Sequence, residues 1–201
     1  MKIRKGRKED APFLANVVME AIGEELCVGL AGDEGRVALV RDLFTVLAGE
    51  KESQYSYNNS FVAVNDEGEP IGGIIAYDGA KLRRLRRAFA RGARRILDWD
   101  TTEEDSEGWE DEAESGEIYI DSLYVRPEYR RRGVARALVG EVAKRYESLQ
   151  KPLGLLVEPE NEKALRAYRS WGFEEKGISN FFRTPMIHMQ ASGINRYRRF
   201  A

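Results

Sequence analysis

The chain has 201 residues, 42% of them hydrophobic and 33% charged, and a formal net charge of -2, which suits one folded domain, with or without an insertion. The small net charge excludes a general electrostatic attraction to nucleic acid or membrane, and no apolar run is long enough to span a bilayer. The one cysteine, Cys27, and the one histidine, His188, are too few for a zinc site. We therefore expect a cytoplasmic, metal-free protein with a buried, unreactive thiol.

The first part of the chain predicts a strand, two helices and a hairpin. Residues 2–5 resemble a short strand, and apolar residues at helical spacing extend from Pro12 until Gly29 interrupts the pattern. Asp33 is suited to cap the second helix. Residues 61–77 contain two strand-like runs around a turn sequence, which predicts a hairpin.

Residues 81–116 form an inserted segment with an uneven charge. Residues 81–97 are rich in arginine and predict a basic helix, whereas residues 100–114 are acidic, contain no lysine or arginine, and predict a flexible loop. We expect the two halves to neutralise each other or to remain solvated. The alternatives are a polyanion site on Arg83–Arg95 and a wall or lid for an acceptor substrate.

The remaining part of the chain alternates between strands and helices. The predicted strands cover residues 117–125, 153–157, 173–176 and 186–190, and the predicted helices cover 133–148 and 161–171. This order predicts an α/β fold with a mixed sheet and packed helices. We expect one domain over residues 1–190 and a basic tail over residues 191–201.

The most informative stretch is the turn that contains Arg130-Arg-Arg-Gly133-Val-Ala135. Unpaired N–H groups and the helix dipole make the start of the following helix an anion site. Gly133 lets the backbone approach a phosphate, and arginine side chains add positive charge. These are Arg130, Arg131, Arg132 and Arg136. The turn lacks the sequence of a P-loop and of a dinucleotide fingerprint, and by itself it also fits a basic turn before an ordinary helix.

A second motif follows at a suitable distance, Leu155-x-Val157-x-x-x-Asn161-x-x-Ala164-x-x-x-Tyr168-x-x-x-Gly172-Phe173. Together the two motifs resemble those of the GNAT superfamily of N-acetyltransferases, and the resemblance is best over residues 117–173. It implies a strongly bent, mixed sheet whose fourth and fifth strands splay apart, helices on both faces, and acetyl-CoA as the cosubstrate.

The resemblance also implies how acetyl-CoA binds. The pantetheine arm would bond to Leu123 and Val125 in the gap between the splayed strands, as a peptide adds to a sheet edge. The backbone amides from Arg131 to Arg136, including those of Val134 and Ala135, would hold the pyrophosphate. Asn161 would contact the pantetheine arm, although an asparagine at this position also suits a helix N-cap.

The implied reaction is direct attack of a primary amine on acetyl-CoA in a ternary complex. Tyr168 corresponds to the general acid beside the cofactor sulfur, although a packed tyrosine would fit the same position, and the Val125 N–H is the expected oxyanion donor. Asp121 and Glu117 are equal candidates for the general base, and a water chain is the alternative. Strand alternation would put both carboxylates on the side of Leu123 and Val125 unless a bulge intervenes.

The acceptor is expected to be a small-molecule or peptide amine, and nothing in the sequence selects one. Nucleic acid and membrane are not expected partners. A homodimer is possible, because many members of the superfamily pair through C-terminal strands. The alternative function is a non-catalytic acyl-CoA-binding regulatory module, which would not need Tyr168.

Overall fold

The computed structural model describes residues 1–181 and 184–192, which form a seven-stranded sheet with helices on both faces. The strands are β1 (Lys2–Lys5), β2 (Ser60–Val64), β3 (Pro70–Asp78), β4 (Ile118–Val125), β5 (Leu153–Val157), β6 (Glu174–Phe181) and β7 (Thr184–Ala191). The α-helices in this part of the chain are α1 (Ala11–Ala31), α2 (Val37–Gly49), α3 (Leu82–Ile96), α4 (Val134–Arg145) and α5 (Glu162–Ser170). The strand order is β1-β2-β3-β4-β5-β7-β6.

The sheet is mixed, as the sequence predicts. β4 and β5 pair in parallel, and the other neighbouring strands pair antiparallel. The α/β fold class is therefore confirmed. None of the described helices is both long enough and apolar enough to cross a membrane.

Two apolar cores cover the two faces of the sheet. Leu138 and Val142 of α4 and Leu165 of α5 are buried against one face. The helices α1, α2 and α3 pack against the other face, where Leu43 of α2 is fully buried and Cys27 of α1 is 3% exposed. Burial raises the pKa of the Cys27 thiol, so the thiol stays protonated and weakly reactive.

Several predicted boundaries differ from the structure. The first helix continues past Gly29, with a kink at Gly23, and ends at Ala31, where Gly32 caps it with a left-handed φ of 85°. The strand predicted to begin at Glu117 begins one residue later. Ala191, predicted to start the tail, is the last residue of β7, because its backbone pairs with Leu153 of β5. Residues 193–201 of the predicted tail lie outside the described part of the chain.

The inserted segment is packed on the protein rather than solvated. α3 buries an apolar face that includes Leu85 and Phe89. The acidic half is largely irregular, as predicted, but it packs on the protein, since Ser106 and Glu112 are buried and a 3-10 turn forms at Asp105–Gly108. The predicted neutralisation of the two halves is confirmed by their ion pairs. These join Arg83 to Asp111, Arg86 to Glu112 and Arg91 to Glu103.

The sheet opens between its two parallel strands. β4 and β5 pair at Ile118↔Leu153 and Tyr119↔Gly154. Beyond these pairs β5 continues to pair with β7 as far as Val157, while β4 continues beside β3 to Val125. The predicted splay is therefore present, and it leaves a gap in the middle of the sheet.

Candidate active site

The edge of β4 that faces the gap carries backbone groups of Leu123 and Val125. In an antiparallel pair, hydrogen-bonded and non-hydrogen-bonded residues alternate. The Arg126 N–H donates to the Ile71 carbonyl oxygen at 2.9 Å, so Arg126 is a hydrogen-bonded residue in this pairing. Two residues back along β4, Tyr124 is therefore the next residue whose backbone bonds to β3. Leu123 and Val125 are the alternate residues in this register, and their backbone groups point away from β3. A ligand in the gap could therefore bond to β4 as an added strand does.

The turn from Arg130 to Gly133 joins the end of β4 to the start of α4. Arg131 has a φ of 61° and Gly133 a φ of 80°, and such left-handed residues turn successive N–H groups toward a common point. The first bond within α4 runs from the Ala137 N–H to the Gly133 carbonyl oxygen at 3.0 Å. The N–H groups of Val134, Ala135 and Arg136 are therefore not used by the helix.

Gly133 is suited to this turn for two reasons. A left-handed φ favours glycine, and a Cβ atom built on Gly133 would have no atom of the described residues within 4 Å. The backbone at the start of α4 is therefore open to a ligand, as an anion site requires.

The arginines of the turn do not all point outward. The Arg130 Nε donates to the Val125 carbonyl oxygen at 2.9 Å, and its guanidinium lies 5.8 Å from the Tyr124 ring centroid. This side chain therefore holds the turn against β4. Arg131 and Arg132 are exposed and add positive charge next to the helix start.

Asp121 lies at a β-bulge, which changes the predicted alternation. Ser122 pairs with Ile75 and Ile120 pairs with Ala76, so Asp121 is the extra residue. Its carboxylate accepts hydrogen bonds from the Tyr77 hydroxyl at 3.1 Å and from the Ser122 hydroxyl at 2.8 Å. The exception that the prediction allowed for a bulge therefore applies: Asp121 does not share a face with Leu123 and Val125, which pack into the opposite core.

The environment of Asp121 favours a protonated carboxyl group at mildly acidic pH. Burial, and secondarily the charge of Glu112, raise the pKa of Asp121 from 3.8 to about 7, while hydrogen bonds from Ser122, Tyr77 and Gln54 oppose the shift. A carboxyl group with a pKa near 7 can exchange a proton at neutral pH, which is the property that a general base requires.

Glu117 has a different environment. Its carboxylate is fully buried and contacts His188 Nε2 at 2.9 Å, the Gln190 amide at 2.8 Å and the Glu114 N–H at 3.0 Å. Glu114, Glu117 and His188 offer ligand atoms within 4.8 Å of one another, but the carboxylate is already hydrogen-bonded by the protein. The sequence analysis did not connect His188 to Glu117, because the two residues are 71 positions apart.

Tyr168 and Asn161 lie at the two ends of α5. The Tyr168 ring packs edge-on against Trp171, with centroids 5.5 Å apart, and burial raises the pKa of its hydroxyl to about 12. No described residue hydrogen-bonds to that hydroxyl. The Asn161 Oδ1 accepts from the Ala164 N–H at 3.2 Å, so Asn161 is the N-cap of α5.

A cavity of about 710 Å³ lies on the face covered by α2 and α3, and its lining includes Gln54 and Glu112, which are neighbours of Asp121. We call it the aromatic cavity. Its walls come from residues 54–55, α3, the acidic part of the insertion and the end of β6. Gln54, which the sequence analysis did not single out, lies in its lining with a side chain that is 3% exposed.

Comparison with known proteins places the fold in one family. The acetyltransferase (GNAT) family matches residues 37–173. No curated protein sequence matches the chain.

Solved structures match over nearly the whole chain. One, described as an acetyltransferase, has a TM-score of 0.71 and 21% identity, with 96% of this chain and 99% of that chain covered. An N-acetyltransferase from Staphylococcus aureus Mu50 has a TM-score of 0.69 and 22% identity, with 95% and 100% covered. The PaiA N-acetyltransferase from Thermoplasma acidophilum, solved with coenzyme A, has a TM-score of 0.56 and 15% identity, with 96% and 98% covered.

Proposed function

The chain belongs to the GNAT family of acetyltransferases, and we propose that it transfers an acetyl group from acetyl-CoA to a primary amine by direct attack in a ternary complex. The observation that carries this proposal is the gap between β4 and β5, which leads to the N–H groups of Val134 and Ala135 that α4 leaves unused at its start. An extended amide-containing arm with a pyrophosphate at one end fits this arrangement.

Acetyl-CoA would bind along β4. The amides of Val134, Ala135 and Arg136 would hold the pyrophosphate, with Arg131 and Arg132 adding charge. The backbone groups of Leu123 would bond to the pantetheine arm and the Val125 N–H would face the thioester, since the Val125 carbonyl oxygen accepts from Arg130. Asn161 would contribute its amide nitrogen, since its oxygen caps α5. The structural neighbour solved with coenzyme A supports this cosubstrate.

Asp121 is the general base that we favour over Glu117. A base must take a proton from the amine, and a pKa of about 7 suits this task at neutral pH. The carboxylate of Glu117 has no exposed surface and is engaged by His188, Gln190 and the backbone of Glu114. We therefore assign Glu117 to holding β4, β5 and β7 together.

In the proposed reaction the neutral amine nitrogen attacks the thioester carbonyl carbon, and the new C–N bond replaces the C–S bond. The proton of the attacking amine passes to Asp121. The Val125 N–H stabilises the developing oxyanion, an effect worth about 10²–10³ in rate at comparable sites. Tyr168, protonated at neutral pH, donates a proton to the leaving thiolate. The proposal also includes a cytoplasmic location, and a homodimer stays a prediction.

The test is calorimetric titration with acetyl-CoA, followed by a thiol-release assay with a panel of amines. Micromolar binding and thiol release are expected from the native protein. Gly133→Asp should abolish binding, because a left-handed φ disfavours its side chain and its charge opposes the pyrophosphate.

Gly68→Asp is the matched control, since Gly68 also has a left-handed φ, of 86°, and open space around it. Absence of acetyl-CoA binding by the native protein would contradict the proposal. Binding without thiol release from any amine would instead favour the non-catalytic acyl-CoA-binding module.

A further inference from the structure

The aromatic cavity combines flat apolar walls with acidic groups. Five aromatic side chains line it, namely Tyr55, Phe89, Trp99, Trp109 and Phe181. The Phe89 ring packs edge-on against both tryptophans, with centroids 5.9 and 6.1 Å apart. Such rings favour an aromatic ligand, and their faces attract cations. A volume of about 710 Å³ suits a small molecule together with water.

The charged groups of the lining favour a cationic ligand. Asp100, Glu110 and Glu112 line the cavity, and Arg86 is the basic residue among its described lining residues. Both terminal nitrogens of Arg86 are engaged by groups of the insertion, among them Asp111 and Glu112. Arg86 therefore cannot offer its guanidinium fork to the carboxylate or phosphate of a ligand without giving up these contacts.

Gln54 provides a hydrogen-bond acceptor without a partner. Its Nε2 donates to Glu112 Oε1 at 3.2 Å, which fixes the orientation of the amide because an ionised carboxylate only accepts. The Oε1 atom is buried and has no partner among the described residues. Leaving such an acceptor unpaired is costly, and an ammonium or amine N–H of a ligand would satisfy it.

The cavity is next to the proposed base. Gln54 and Glu112, which line the cavity, are also electrostatic and hydrogen-bonding neighbours of Asp121. An amine that bonds to the Gln54 oxygen would therefore lie near the proposed proton acceptor, while its body would contact the rings.

From this geometry we infer that the acceptor is a small amine with an aromatic body and without a carboxylate. The inference rests on the proposed function and specifies its substrate. It depends on the insertion, because α3 and the acidic segment supply most of the cavity walls. The insertion thus corresponds to the predicted alternative of a wall for the acceptor.

The experiment compares 2-phenylethylamine with butylamine, phenylalanine, spermidine and a short peptide with a free N-terminus, using thiol release at saturating acetyl-CoA. The kcat/KM for 2-phenylethylamine should exceed that for butylamine by about 10-fold because of the ring. It should exceed that for phenylalanine by about 100-fold, because the extra carboxylate meets acidic groups and, among the described lining residues, a basic group, Arg86, that is already engaged. Highest activity with phenylalanine, spermidine or the peptide would overturn the inference but leave the proposed function intact.

Binding of 2-phenylethylamine is also measured alone, by quenching of tryptophan fluorescence. Gln54→Ala should raise its KM and its dissociation constant by about 10-fold, with acetyl-CoA affinity unchanged. Asn58→Ala, which removes an exposed amide outside the cavity from the same loop, should change neither constant.

Because Gln54→Ala also removes a bond to Glu112, Trp109→Leu provides a second test. It should weaken the preference for 2-phenylethylamine over butylamine without weakening acetyl-CoA binding. Amine binding that depends on Gln54, but without thiol release, would support the cavity assignment and contradict the proposed reaction. Unchanged constants in both Gln54→Ala and Trp109→Leu would overturn the cavity assignment.

Discussion

Asp121 and Gln54 are neighbouring polar side chains, and burial is unfavourable for a group of each. The Gln54 Oε1 atom is buried without a partner among the described residues, and Asp121 is a carboxyl group whose pKa is raised to about 7. Leaving a buried polar group unpaired typically costs about 1–3 kcal/mol. Groups of this kind concentrate at functional sites, which is why we connect them to the acceptor amine.

Asp121→Asn should remove the general base while keeping a side chain of similar size. We expect kcat/KM to fall by about 10²–10⁴. In the native enzyme kcat/KM should rise as the pH increases through about 7, because Asp121 must be ionised to accept a proton. The variant should lose this limb of the profile. A profile unchanged in the variant would exclude Asp121 as the base and favour a water chain.

The same variant should be more stable than the native protein at pH 8. The pKa of Asp121 in the folded state lies above its usual value of 3.8, so the folded state binds this proton more tightly than the unfolded state. The free energy of unfolding therefore decreases as the pH rises from 3.8 to about 7. The expected decrease in the free energy of unfolding is about 4 kcal/mol. Urea unfolding of the native protein and of the variant at pH 4 and pH 8 measures this change. If the variant is more stable than the native protein by the same amount at both pH values, the raised pKa assigned to Asp121 is contradicted.

Tyr168→Phe should lower kcat with little effect on acetyl-CoA affinity. Burial raises the pKa of Tyr168 to about 12, so its hydroxyl is protonated at neutral pH, as a general acid must be before it donates. Removal of a general acid typically costs about 10²–10⁴ in rate. Tyr146→Phe is the control, since the Tyr146 hydroxyl donates to the Ala76 carbonyl oxygen at 3.1 Å. That variant should lose about 1 kcal/mol of stability and keep kcat, whereas equal kcat values for both variants would contradict the role.

Gly154→Ala should destabilise the junction of β4 and β5. A Cβ atom at Gly154 would lie 1.7 Å from Glu117 Oε2, and the carboxylate cannot move without losing buried hydrogen bonds to His188 and Gln190. We expect a loss of about 3 kcal/mol in the free energy of unfolding by urea. Gly140→Ala in α4, where a Cβ atom would meet no described residue outside the adjoining backbone within 4 Å, should instead gain about 0.4–1 kcal/mol. A neutral Gly154→Ala would show that Glu117 does not fix this junction.

At the scale of elements, α3 and the acidic segment behave as one unit. Arg83 and Arg91 pair with acidic residues at the surface, and such pairs contribute about 0–1 kcal/mol each. Arg86 is different, because its side chain is 4% exposed and bonds to Glu112, which is also buried. It also donates to the Trp109 and Glu110 carbonyl oxygens. Arg86 therefore attaches the wall of the aromatic cavity to α3.

Arg86→Met should cost much more stability than Arg91→Met in the same helix. Removing Arg86 leaves Glu112 buried without its cation, and breaking a buried pair typically costs about 3–5 kcal/mol. Arg91→Met should cost less than about 1 kcal/mol. Equilibrium unfolding in urea measures the loss of stability in the two variants. Equal effects would show that Arg86 does not hold the segment in place.

At the scale of the whole molecule, the sheet is incomplete at its centre. The backbone groups of Leu123 and Val125 face the gap instead of β3. On the face of α1, α2 and α3 lies the aromatic cavity. The two proposed substrates would thus approach Asp121 from different parts of the protein, as direct transfer in a ternary complex requires.

Acetyl-CoA should stabilise the whole fold, because it would bridge β4, β5 and the start of α4. At a concentration 100 times its dissociation constant, a ligand that binds only the folded state adds about 2.7 kcal/mol. For a domain of this size the expected rise in Tm is about 5–10 °C. Thermal unfolding measures it, with Gly133→Asp expected to show no rise. A rise of the same size in Gly133→Asp would place the binding site elsewhere.

The sequence by itself determined the features that depend on short-range structure. Residues 61–77 form the predicted hairpin, and the second predicted helix forms as α2, because local turn chemistry and helical periodicity act over a few residues. The turn before α4 was recognisable for the same reason, since Gly133 needs a left-handed φ just where a helix begins.

The tertiary structure alone decided the surroundings of the reacting groups. The bulge in β4 moves Asp121 to the face opposite Leu123 and Val125, and sequence periodicity does not reveal a bulge. Gln54 and Glu112, 58 positions apart, meet beside Asp121, and His188 reaches Glu117 from β7. The raised pKa of Asp121 and the shape of the aromatic cavity come from burial by distant segments, which no local sequence pattern specifies.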